Sequence, residues 1–318
     1  MDAGLLYRNA VVKSREGTLL GQDRLQRVFD ASSLDEAMRL LSEAGYPSGA
    51  TPEEVLSAAE KDAALTFREN MTAGFGLELF LVADDYHNAK VAAKAAHFGG
   101  AKDGYKPEGR VALSLLEDAL AKGEYKELPT GIAAALTALD GLKSRDALYP
   151  SAVDIALDRA FFDEIAKARK KTAKVFLRYF DLLADLKNIS VAYRAYRAGF
   201  SREKAKEMLL PAGTIPEKDL LRVAESGEDA AEKISSSLVV RDAISKLKEG
   251  LTAYEVYTDN ALLALLRKER YDMFSPAPIA GLYIGKLREI VNVRLILARA
   301  RNGVEKEIVR ARMRELYV

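Results

Sequence analysis

The segment Asp84-Asp85-Tyr86-His87-Asn88 carries the residue types nearest to a catalytic constellation. Paired carboxylates on one helix can hold magnesium against a diphosphate, since that ion takes hard oxygen ligands and keeps part of its water shell. Such chemistry would make the chain an all-helical magnesium-dependent enzyme working through Asp84 and Asp85. Two observations favour repeat architecture instead. Two further segments keep the second acid and the Asn but have Ala184 and Arg288 where Asp84 stands, and no partner metal-binding motif faces the pair.

Other candidates fall more quickly. The run GLYIGKL at 281–287 is one residue short of a phosphate loop between its glycines, places Leu287 where Ser or Thr must hold magnesium, and reads as helix. His87 and His97 stand ten apart and point to different sides of a helix, which argues against a shared metal site. With no cysteine there can be no disulfide, thiolate metal site or cysteine nucleophile. Neither a nucleophile elbow nor a zinc-protease helix is present, and the expectation is a chain with no cofactor and no catalytic residues.

The elements that position these residues recur. An acid, an Asn three residues on and a Gly eleven further appear as Asp85-Asn88-Gly99, Asp185-Asn188-Gly199 and Glu289-Asn292-Gly303. The asparagines are one hundred and then one hundred and four residues apart. Each copy lacks Pro, is rich in helix formers and closes on Gly, which predicts one helix per copy with a left-handed cap. At about 100° per residue, Asn88, Ala92, Ala95 and Gly99 share a stripe, as do Asn188, Ala192, Ala195 and Gly199. The third copy breaks it with Ile296 and Arg299. The opposite face carries Lys90, Lys94 and His97, then Ser190, Arg194 and Arg197, then Arg294, Ala298 and Arg301. A charged face of this kind is either plain solvation or, if the three helices surround a common axis, a basic socket for a partner.

Composition narrows the class. The 318 residues are 49% hydrophobic and 30% charged, with 48 basic and 47 acidic side chains and a formal net charge of +1. That balance lacks the basic excess that nucleic-acid binding demands, so no nucleic-acid partner is expected. The N-terminal segment shows no secretion signal, and apolar runs such as Leu79 to Ala83 fall far short of a membrane span.

Read in order, nearly the whole chain patterns as helix. The first seventeen residues form a lead-in; short helices follow from Gly17 and from Ser32 or Ser33, and Thr51-Pro52 starts a longer one. The same order returns with Leu113–Leu120, Thr130–Leu139 and the helix after Tyr149-Pro150. A third pass opens at Gly213-Thr214-Ile215, an echo of Gly17-Thr18-Leu19, and runs through SSSLVVRDAISKL and TAYEVYTDNALLALLRKERYD. The fold class is therefore all-α, with three similar lobes over 1–106 (including the lead-in), 107–212 and 213–318.

Three stretches, Tyr7 to Pro47, Tyr149 to Ile165 and Tyr283 to Met313, make the chain similar to the C subunit of bacterial and archaeal V/A-type ATPases, a family related to the d subunit of the eukaryotic vacuolar proton pump. The likeness runs through essentially the whole chain, and the closing stretch with Glu289, Asn292 and Arg294 is its most specific part. The resemblance implies a funnel of three helical domains in pseudo-threefold arrangement, peripheral on the cytoplasmic face of the membrane. It would seat the central shaft subunits (D and F type) on the proteolipid (c/L) ring and turn with both, without catalysis or direct nucleotide binding and with membrane association through the ring only. The candidate partner surface is Lys90, Lys94, Arg194, Arg197, Arg294 and Arg301. A soluble helical adaptor unrelated to ATPases would share the repeat but not these partners.

Overall fold

Ser33 and Thr51 each stop the chain in extended conformation and turn it into a helix, their hydroxyls accepting the N–H of Glu36 and Glu54 three residues on. The two glutamates reach back in return, Glu36 to the N–H and hydroxyl of Ser32 and Glu54 to the Ala50 N–H. Pro52 and Pro150 each occupy the first turn of a nineteen-residue helix, where a missing N–H costs nothing. The chain's computed structural model describes residues 3–100, 104–107, 109–231, 233–234 and 238–318.

Among these residues every regular element is helical. The first series is α1 (Ala3–Arg15), α2 (Gln22–Phe29), α3 (Leu34–Glu43), α4 (Pro52–Asn70) and α5 (Glu78–Phe98). The second is α6 (Leu113–Lys122), α7 (Thr130–Lys143), α8 (Pro150–Ala168), α9 (Lys174–Arg197) and α10 (Arg202–Met208). The third is α11 (Glu217–Ser226), α12 (Glu228–Ala231), α13 (Leu238–Glu249), α14 (Leu251–Lys268), α15 (Ala277–Asn302) and α16 (Lys306–Arg310). The segment SSSLVVRDAISKL is helical from Leu238, while its serines 235–237 lie outside the described residues. No described helix is long and apolar enough to cross a membrane.

The lead-in differs from its sequence reading, because residues 3–15 form the helix α1. Leu5, Asn9 and Val12 are buried at helical spacing. A polar Asn in the middle of that stripe masks the apolar period. Its amide nitrogen donates to the carbonyls of Met273 and Ser275 at 2.8 and 2.9 Å, which settles it in the interior.

By contact the chain divides into two compact units, Met1–Phe75 with Asp242–Val318, and Gly76–Arg241. In the first, α15 packs on α4, α14, α3, α1 and α2. Its Ile290, Val293, Ile296 and Leu297 meet Leu25, Phe29, Leu41 and Val55 in one core. Tyr317, 2% exposed, lies across α15 at Gly281 and Gly285. A Cβ at Gly285 would overlap the Tyr317 Cβ, so the absent side chain is what lets the C-terminal segment settle there. In the second unit α5 packs on α8 and α6, α7 on α8, and α9 on α11 and α10. The ring of Phe80 meets Phe176 edge-on at 5.1 Å and tilts against Phe180 at 5.2 Å, joining α5 to α9.

Candidate functional site

All three asparagines of the repeat are buried, and each is paired with one residue of a returning loop. Asn88 Oδ1 accepts the Lys106 N–H at 2.9 Å while its Nδ2 donates to the Lys106 carbonyl at 3.2 Å. Asn188 does the same with Leu210 at 2.7 and 3.2 Å and adds the Ala212 carbonyl at 3.0 Å. Asn292 pairs with Arg314 at 2.7 and 2.8 Å. Only a carboxamide offers a donor and an acceptor side by side, so neither Asp nor Leu can reproduce this match.

The acid one turn earlier secures a second point. Asp85 accepts the N–H groups of Arg110 and Val111 at 2.7 and 3.0 Å and the Arg110 Nε–H at 3.1 Å. Asp185 accepts the Thr214 N–H and Ile215 N–H at 2.6 and 3.0 Å, and the Thr214 hydroxyl at 2.6 Å. Gly109 and Gly213 precede these donors, and a Cβ at either would overlap the carboxylate. In the third copy Glu289 is longer by one methylene and reaches the Leu20 N–H, the Tyr46 hydroxyl and Lys286 Nζ, each at 2.6 Å. Burial pushes the Asp85 carboxyl above its usual range, against the pull of the Val111 N–H and Arg110. Burial and the neighbouring Glu289 likewise raise the Tyr46 hydroxyl, keeping it a donor.

Each acid therefore holds the segment just ahead of a short helix: α6 after Val111, α11 after Ile215 and α2 after Leu20. The sequence echo of Gly17-Thr18-Leu19 in Gly213-Thr214-Ile215 lies beside two of these partners but is one residue out of register with Leu20. Asp84 and Asp85 are engaged separately, Asp84 by Lys106 at 3.3 Å and Asp85 by its loop. The described residues contain no group of three His, Asp or Glu placed to share a metal ion. His87 Nε2–H donates to the Gly104 carbonyl at 2.8 Å, and His97 lies 4.0 Å from Asp140, so the two rings serve different places.

The basic face resolves into two seams and an exposed stretch. Lys90 and Lys94 of α5 meet Asp158 and Asp154 of α8 at 2.8 and 2.7 Å. Arg294 and Arg301 of α15 meet Glu60 and Glu53 of α4 at 2.8 and 2.9 Å. The basic residue two after the Asn finds the acid eight after the Pro in both seams, so the long Pro-started helix lies in the same register each time. On α9, Arg194 is exposed and makes no ion pair among the described residues, and Arg197 is exposed with Nη1 3.5 Å from the Tyr193 hydroxyl.

Asp158 is shared by Lys90 and Lys187 at 2.8 and 2.9 Å. Burial works to raise its carboxyl, and the two lysines outweigh that and hold it below the ordinary value. A depressed acid contributes stability that is complete above the ordinary carboxylate pKa and is lost as pH falls through the lower, folded value. Asp158→Asn should therefore cost about 1–2 kcal/mol at pH 7 and flatten the acid limb of the stability curve. An unchanged limb in urea titrations below about pH 4 would show that the pair carries no stability.

Comparison with known proteins adds the family. The model of the ATP synthase (C/AC39) subunit family matches residues 8–312. The C subunit of the A-type ATP synthase from Desulfurococcus sp. (strain SY) is 27% identical over 96% of this chain and 89% of its own length. The C subunit of the V-type sodium ATPase from Enterococcus hirae is 23% identical over 97% and 98%. The C subunit of the A-type ATP synthase from Thermococcus gammatolerans is 31% identical over 46% of this chain and 41% of its own length. A match across nearly the whole chain, ending in the stretch whose Glu289 and Asn292 anchor the loops, places this protein in the ATP synthase (C/AC39) subunit family.

Proposed function

We propose that this chain is the non-catalytic central-stalk subunit of a V/A-type rotary ATPase, a socket that seats the central shaft on the membrane proteolipid ring and passes rotation between them. The observation that carries the reading is family membership over residues 8–312, with full-length relatives named as C subunits. The buried anchors fit such a part. Torque must cross it without shear, and the loops after α5 and α9 are each fixed to their helix by two points one turn apart. The three lobes expected at 1–106, 107–212 and 213–318 would each present one Asn helix, on the cytoplasmic face of the membrane.

Within this reading the grip on the shaft (D and F type) centres on α9. Lys90, Lys94, Arg294 and Arg301 brace α5 and α15 against their neighbours, whereas Arg194, one turn before the exposed Arg197, is exposed and makes no ion pair among the described residues. The other two seams define the chemistry that Arg194 lacks among the described residues, a helix with carboxylates four or seven residues apart. Purified chain should bind shaft subunits in a salt-sensitive manner, and Arg194→Glu with Arg197→Glu should weaken binding about tenfold or more at low salt. Unchanged affinity would remove α9 from the grip. Failure of the wild-type chain to bind either the shaft or the detergent-extracted ring would favour a free-standing helical adaptor.

A further inference from the structure

Residues 167–178, KARKKTAKVFLR, close α8, turn and open α9 with six cations and no acid. All six are exposed. Arg169 is held by Asp181 through two bonds of 2.7 and 3.1 Å, while Lys167, Lys170, Lys171, Lys174 and Arg178 make no ion pair among the described residues. The end of α8 accounts for part of this charge, since free carbonyls at a helix C-terminus favour cations. Lys174 and Arg178 sit in the opening turns of α9, where the same dipole disfavours them, and no side chain caps that end.

The repeat supplies an internal control. The same twelve-residue window, counted back from the Asn, covers 67–78 in the first copy and 271–282 in the third. The first holds one Arg against two Glu and the third a single Asp, a net −1 in each, against +6 in the second. The architecture therefore does not require cations at this turn. A whole-chain charge of only +1 also means that the patch is not the overflow of a basic protein.

We propose that the turn between α8 and α9 binds an anionic membrane surface directly, with its lysines among phosphate headgroups. Four of the five cations without an ion pair are lysines, compact charges on flexible stems that suit a diffuse array of phosphates. A site for one carboxylate or phosphate favours the rigid fork of Arg. Of the bulky apolar side chains of the segment, Val175 and Phe176 are 6% and 0% exposed and Leu177 is half-buried, so no exposed hydrophobic anchor for a peptide is offered. Clusters of four to eight Lys or Arg are drawn to acidic leaflets, each cation near the surface contributing about 1 kcal/mol. This contact is additional to shaft and ring binding and stands whether or not those partners are the right ones.

The test is co-sedimentation of the purified full-length chain with vesicles. Binding is expected on phosphatidylcholine containing roughly 30% phosphatidylglycerol, absent on pure phosphatidylcholine, and lost between about 50 and about 500 mM salt. The triple variant Lys170→Ser, Lys171→Ser, Lys174→Ser should bind about a hundredfold more weakly with an unchanged melting temperature. The charge-matched control Lys61→Ser, Lys122→Ser, Lys126→Ser should bind as wild type. Equal binding to neutral vesicles, or equal loss in the control, would overturn the proposal. Binding to polyglutamate without binding to acidic vesicles would also overturn it and assign the patch to an acidic protein.

Discussion

Asn188→Leu is expected to destabilise the Gly76–Arg241 unit by about 3–5 kcal/mol, although the two side chains are similar in size. The amide makes three bonds to the returning loop, and Leu would strand the Leu210 N–H and the carbonyls of Leu210 and Ala212. Leu210 is itself only 7% exposed, so water does not replace the lost partners in place. Asn188→Asp keeps the acceptor but turns a carboxylate toward two carbonyls, and it should be no milder. Urea unfolding followed by circular dichroism gives the midpoint, and limited proteolysis within 200–214 reports the freed loop. A shift below about 1 kcal/mol for both variants would mean that the loop is held by other contacts.

Deletion of residues 314–318 should have the larger effect, about 5–8 kcal/mol on the other unit. The five residues supply the Arg314 peptide groups that satisfy Asn292, the Arg314 link to Asp259, the Glu315 link to Arg267, and the Tyr317 ring against α15. Tyr317→Ala alone removes only the ring and should cost about 3–4 kcal/mol. Calorimetry should show the truncated chain melting about 10–20 °C lower. A melting temperature within about 3 °C of wild type would show that the tail merely rests on α15. Truncation should also leave the urea midpoint of Gly76–Arg241 in place.

Much of this was legible in the residues. The acid–Asn–Gly skeleton picks out α5, α9 and α15, and each ends at a glycine with positive φ, at Gly99, Gly199 and Gly303. The caps at Ser33 and Thr51 stand where hydroxyl, spacing and Pro put them. What the asparagines bind was not legible, because Lys106, Leu210 and Arg314 contribute peptide groups, which carry no residue-type signal. The basic face was ambiguous for a related reason. Lys90 and Arg294 look alike on a helical wheel whether they face water or an acid sixty-eight residues ahead and two hundred and thirty-four residues back. Glu60 and Asp158 become informative only once α4 and α8 are known to lie in one register.

The capture of Leu20 by Glu289 joins residues 269 positions apart, and α4 finds its main neighbour in α15. On a ribosome adding roughly 5–20 residues per second, the first four helices would emerge tens of seconds before that neighbour exists. The 76–241 unit, by contrast, is one continuous stretch of chain. Newborn chains thus carry an apolar N-terminal segment in waiting, with Leu25, Phe29, Leu41 and Val55 uncovered until the last long helix arrives. A nonsense mutation anywhere before residue 277 would release a product whose opening helices have no core to join, an obvious substrate for chaperones and proteases.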